Sequence, residues 1–155
     1  MQFTTIVLSV LSAAAAVSAA PAQQQKRACE VKYPNALGFP INFHISKDAT
    51  SNVPNDISFT IPANARGPCS LVYQFPVGTP ITTTGNPALN IKALDGPATG
   101  SIVGTATFVA DGQLHTINSF ACRTTMGFEL SIAGEAGSVN FSEVQGTGLW
   151  MTYNC

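Results

Sequence analysis

Charge is what this chain has least of. Only 7 basic and 8 acidic residues occur among 155, about one residue in ten. Without a basic excess, the attraction to phosphate that drives nucleic-acid binding is missing. A disordered chain would combine more charge with fewer β-branched and aromatic residues, so the composition excludes disorder as well. Helical periodicity is almost absent, which excludes a bundle. Histidine is scarce, at two residues, and neither H-E-x-x-H, H-x-H nor the G-x-S-x-G elbow occurs. No C-x-x-C pair suggests zinc or redox exchange. Beyond the first residues, no apolar run approaches the roughly 20 residues needed to span a bilayer.

What is present begins with an apolar run from Ile6 to about Val17, followed by the small residues Ser18, Ala19 and Ala20. This is the pattern of a signal peptide with its cleavage site. The dibasic pair Lys26-Arg27 then resembles a secretory processing site. Residues 1–20 therefore read as a signal peptide, 21–27 as a short propeptide, and 28–155 as one domain. Removing residues 1–27 leaves five basic residues against eight acidic ones, a net charge near −3.

Four cysteines remain, Cys29, Cys69, Cys122 and Cys155. In an exported chain an even count at wide spacing implies two disulfides. Three connectivities are open to four cysteines. The pairing we expect is Cys29–Cys155, joining the ends, and Cys69–Cys122, joining inner strands.

Alternation with period two recurs along the domain and marks about nine strands: Leu37–Ser46, Ile57–Ile61, Cys69–Phe75, Leu89–Leu94, Ser101–Ala110, Gln113–Phe120, Gly127–Ala133, Ser138–Glu143 and Gly148–Cys155. Their inward sets include Phe43 and Ile45; Cys69, Leu71, Tyr73 and Phe75; Phe128, Leu130 and Ile132; Val139 and Phe141; and Leu149, Met151, Tyr153 and Cys155. Asp111-Gly112 reads as a two-residue type I′ hairpin, with Phe108 opposite His115. Short strands punctuated by Pro, Gly and Asn predict an all-β, two-sheet antiparallel sandwich.

Candidate chemistry is thin. His44 alternates outward from Phe43 and Ile45, and reads as a surface histidine. His115, near Asp111, is the better general base, but a triad also needs a nucleophile. Glu129 and Glu143 are read as outward-facing beside Phe128, Leu130 and Phe141, which would put both acids of a glycosidase pair on one sheet face. Trp150 falls on the face opposite Leu149 and Met151 and is the candidate sugar-stacking platform. Asn140-Phe141-Ser142 is the single N-x-S/T sequon, making Asn140 a candidate glycosylation site. No residue set suggests a metal or cofactor.

Two stretches, Ser58-Phe-Thr-Ile-Pro-Ala-Asn64 leading to Cys69-Ser-Leu-Val-Tyr-Gln-Phe-Pro76, and the ending Gly148-Leu-Trp-Met-Thr-Tyr-Asn-Cys155, resemble a fungal secreted family. That family is the But-type C-terminal domain, named after a ubiquitin-like-modifier-binding protein, and it includes hypersensitive response-inducing elicitors. The likeness covers about residues 35–155. It implies a non-enzymatic elicitor or effector outside the cell, whose partner is a plant cell-surface or apoplastic component. A cell-wall-associated carbohydrate-binding module and a small glycan hydrolase using His115, Glu129 or Glu143 are the alternative expectations.

Overall fold

A computed structural model describes residues 28–35 and 41–155. The proposed signal peptide and propeptide, with Lys26 and Arg27, lie outside the described residues, as do residues 37–40 of the first expected strand. Twelve strands follow in order: β1 (Glu30–Lys32), β2 (Ile41–Lys47), β3 (Asn52–Val53), β4 (Asn55–Thr60), β5 (Pro68–Gln74), β6 (Thr82–Gly85), β7 (Leu89–Ala93), β8 (Ile102–Ala106), β9 (His115–Ala121), β10 (Thr125–Ile132), β11 (Gly137–Glu143) and β12 (Gly148–Tyr153).

They form three antiparallel four-stranded sheets, ordered β1-β12-β5-β9, β4-β10-β7-β8 and β3-β2-β11-β6. The arrangement is all-β, antiparallel and sandwich-like, as the alternation predicts, but its strands divide among three sheets rather than the expected two. Each of the nine expected strands has a counterpart, and β1, β3 and β6 are additional.

Aromatic side chains tie the layers together. Phe43 and Phe141, opposite each other in the β2–β11 ladder, stack with ring centroids 4.7 Å apart. Phe75, just after β5, meets Phe141 edge-on at 5.4 Å, and Phe108, from the segment after β8, does so at 5.2 Å. Phe120 of β9 contacts Phe128 of β10 at 5.3 Å. Tilted and edge-to-face pairs of this kind each add about 1 kcal/mol beyond burial. β12 runs through the protein with all six residues buried, so neither of its faces meets solvent.

Both disulfides form with the expected pairing, Cys29–Cys155 and Cys69–Cys122. They close segments of 126 and 53 residues, for which the chain-entropy relation gives about 5 and about 4 kcal/mol of stabilisation. Cys69 is fully buried, but Cys155 is exposed, contrary to the inward position its parity predicted. The reason is Asn154, whose φ of 55° is left-handed and ends the alternation one residue early. Its side chain fixes that bend by accepting from the Arg66 N–H at 2.6 Å and donating to Glu30 at 2.9 Å.

The expected Asp111-Gly112 hairpin does not form. β8 pairs with β7 and β9 with β5, so residues 107–114 cross from one sheet to another instead of turning back. A type I′ turn needs positive φ at both central residues, and only Gly112 has it, at 76°. Asp111 instead accepts the Gln113 N–H at 2.9 Å, while the Gly112 N–H donates to the Phe75 carbonyl at 2.9 Å. Phe108 is thereby released into the core, and His115 stands opposite Tyr73 rather than Phe108.

Candidate functional site

The residues singled out for chemistry do not converge. His115, at the start of β9, stacks on Tyr73 with centroids 4.7 Å apart and planes 12° from parallel. Its Nε2 lies 3.1 and 3.0 Å from the two Asp111 oxygens. The Gln113 backbone N–H and then the His115 contact hold the Asp111 carboxyl below the usual carboxylate range. Burial, followed by the Asp111 charge, pushes the Tyr73 hydroxyl up, and that hydroxyl donates to the Thr107 carbonyl at 3.1 Å. Acid and base of a triad are therefore in place, yet among the described residues no Ser, Thr or Cys side chain hydrogen-bonds either ring nitrogen. The pair orders the 107–114 crossing.

Glu129 and Glu143 occupy opposite environments. Glu129 faces outward on β10, directly across from Lys92 of β7, and the two form a 2.7 Å ion pair. Half-buried pairs near a surface contribute about 1 kcal/mol. Contrary to the outward reading, Glu143 is buried, only 1% exposed. It lies two residues after Phe141 and therefore shares its inward face. The carboxyl is trapped where β11 turns into β12 through the Val144–Thr147 bridge. Gly148 presses on it so closely that a Cβ there would lie 2.6 Å from the Glu143 Cγ. Neither Glu143 oxygen closes a hydrogen bond. Desolvation pushes its pKa up to about 8, opposed only in part by the nearby Leu149 N–H.

Trp150 does lie opposite Leu149 and Met151, but that face is covered too. The ring is 6% exposed and sits 5.9 Å from the Tyr33 ring, in the segment after β1. A sugar-stacking platform needs a free ring face, and Trp150 offers none. None of four surface depressions of roughly 220 to 600 Å³ is lined by His115, Glu129, Glu143 or Trp150.

His44 is exposed, as expected, on the outer face of β2. It stands opposite Asn140 of β11, with its Nδ1 against the Asn140 Oδ1. Around this pair the outer face is a grid of uncharged polar groups. Ser142 Oγ donates to Asn42 Oδ1 at 2.7 Å, and the Thr84 and Ser138 hydroxyls meet at 2.7 Å.

One surface feature escaped the alternation-based reading. Val77, on the segment after β5, is 80% exposed, and Leu114, just before β9, is 53% exposed; Val109 is exposed as well. The two segments meet where the Gly112 N–H reaches Phe75, and Val77 Cγ2 lies 3.6 Å from the point where a Gly112 Cβ would stand. Val77 thus stands against Gly112, with Val109 and Leu114 exposed on the same 107–114 crossing that carries the Asp111–His115 pair. In the sequence only Val77 lay outside the expected strands, while Val109 and Leu114 fell inside two of them.

Among the described residues no cluster of three His, Cys, Asp or Glu side chains is placed to hold a metal ion. No described helix is long and apolar enough to cross a membrane. Compared with known proteins, the chain matches no family model, no curated protein and no solved structure.

Proposed function

We propose that this chain is a secreted, non-enzymatic elicitor or effector that acts by surface recognition in the plant apoplast. The observation that carries the reading is the exposure of Val77, Val109 and Leu114 on two segments that meet at Gly112. Large apolar side chains held in water on a rigid, doubly disulfide-closed scaffold mark a surface that a partner covers. The two disulfides fit an extracellular protein. The resemblance of residues 58–76 and 148–155 to secreted elicitors supplies the partner class, a plant cell-surface or apoplastic component. The catalytic alternative has less support, because His115 and Asp111 lack a nucleophile and Glu129 and Glu143 stand in separate environments. The carbohydrate-module alternative lost its platform with the burial of Trp150.

The test is infiltration of leaves with heat-treated, refolded protein beside the double variant Val77→Asp/Leu114→Asp. Wild type should trigger cell death or defence responses, and the variant, folded by circular dichroism, should not. Wild type without any response, or a variant as active as wild type, would overturn the reading.

A further inference from the structure

The sequon Asn140-Phe141-Ser142 lies on β11, where residues i and i+2 share a face and the residue between them takes the other. Phe141 points inward and stacks on Phe43, so Asn140 and Ser142 both stand on the outer face. The strand thus presents both sequon side chains to solvent together.

The surroundings are of one chemical kind. Outward positions on the neighbouring strands are Asn42, His44 and Ser46 on β2, Ser138 on β11, and Thr82 and Thr84 on β6, with no Lys, Arg, Asp or Glu among them. Beside Asn140 runs an open groove of roughly 320 Å³ whose polar lining is Asn42, His44, Thr82, Asn140 and Ser142, with Pro80 also lining it. Hydroxyl, amide and imidazole groups without fixed charge match the hydroxyls and acetamide of a sugar.

The Asn140 amide can be substituted without breaking the fold. Its nitrogen makes one contact, to the Thr82 carbonyl at 3.5 Å, the outer limit of a hydrogen bond. Its oxygen, which faces the His44 Nδ1, remains an acceptor after substitution.

We propose that Asn140 carries an N-linked glycan whose first sugar lies in the groove between β11 and the Pro80–Thr82 segment. The reaction is a transfer from a lipid-linked oligosaccharyl diphosphate in the secretory pathway. An Asn140 N–H bond and the sugar C1–O bond break, an N–C1 bond forms, and the proton leaves with the lipid diphosphate. In the folded protein the glycan stands over β6, the edge of its sheet, whose four residues are all exposed and whose ladder ends at the Thr82–Asn140 pair. An uncovered edge invites pairing with another chain, and the glycan blocks it. The inference rests on export of the chain, but not on what the exposed apolar side chains recognise.

The experiment expresses the full chain in a secreting eukaryotic host as wild type, Asn140→Gln, Ser142→Ala and Ser142→Thr. Secreted wild type and Ser142→Thr should migrate slowly and collapse on treatment with peptide N-glycosidase, leaving oxygen-18 at position 140 when the enzyme acts in labelled water. The other two variants should run at the collapsed position. Removing the glycan should speed amide exchange at Thr83–Gly85 several-fold. Secreted wild type with an unmodified Asn140 overturns the glycan alone, whereas a chain retained in the cytosol overturns export and glycan together. Unchanged exchange in β6 after glycan removal overturns the seating in the groove.

Discussion

Glu143 makes stability depend on pH in the direction opposite to most acid-bearing proteins. The carboxyl is 1% exposed with both oxygens unpartnered, and its pKa stands at about 8 against an ordinary value of 4.5. Below pH 4.5 the group is protonated in both the folded and the unfolded chain, and its burial carries no ionisation cost. Between pH 4.5 and 8 the unfolded chain releases a proton that the folded chain keeps, so stability falls as pH rises, by about 1.4 kcal/mol per pH unit. Over that interval the loss reaches about 5 kcal/mol, a large share of the 5–15 kcal/mol typical of a domain. Above pH 8 no further loss comes from this group. Glu143→Gln keeps the shape and cannot ionise; its buried amide costs about 1–3 kcal/mol at every pH. Guanidinium unfolding of both proteins with disulfides intact, from pH 4 to pH 9, isolates the effect, because Asp48 and Asp111 titrate alike in each. Wild-type stability should fall relative to the variant by about 5 kcal/mol between pH 4 and 9, so that the variant becomes the more stable protein at alkaline pH. Parallel profiles would refute the reasoning.

Two further outcomes follow from packing and connectivity. Trp150→Ala removes a ring enclosed on both sides and should cost about 3–5 kcal/mol in equilibrium unfolding, while the folded fraction keeps full potency in the leaf assay; selective loss of potency would return the ring to a binding role. Replacing Cys69 and Cys122 together by Ala should cost about 4 kcal/mol in the same unfolding assay, and a negligible change would show that the unfolded chain is already compact around that loop.

Much of the fold was legible because one face of most strands is buried and the other is not. Period-two alternation therefore located β2, β4, β5, β7, β10 and β11 and most of their inward residues. β1, β3 and β6 left no such trace. Thr82–Gly85 is exposed at all four residues, and Glu30–Lys32 and Asn52–Val53 are too short to show a period. These strands exist because a neighbour's unpaired edge offers them backbone hydrogen bonds, which side-chain pattern does not report. Glu143 was misread as outward, although its parity with Phe141, two residues before it, places it inward. What parity did not convey is that the Val144–Thr147 turn and Gly148 seal the carboxyl from water.

By itself, then, the sequence determined the all-β class, the inward residues of the main strands and the even set of cysteines, since alternation and composition are local quantities. Tertiary structure decided the rest. Asp111-Gly112 looked like a hairpin until Phe108 found its place among Tyr73, Phe75 and Phe141, because core burial outweighs a local turn preference. Trp150 looked outward until Tyr33 covered it, and Cys155 looked inward until Asn154 turned the chain. In each case the deciding partner lies elsewhere in the chain or in a backbone angle, and neither can be read from the periodicity of a single strand.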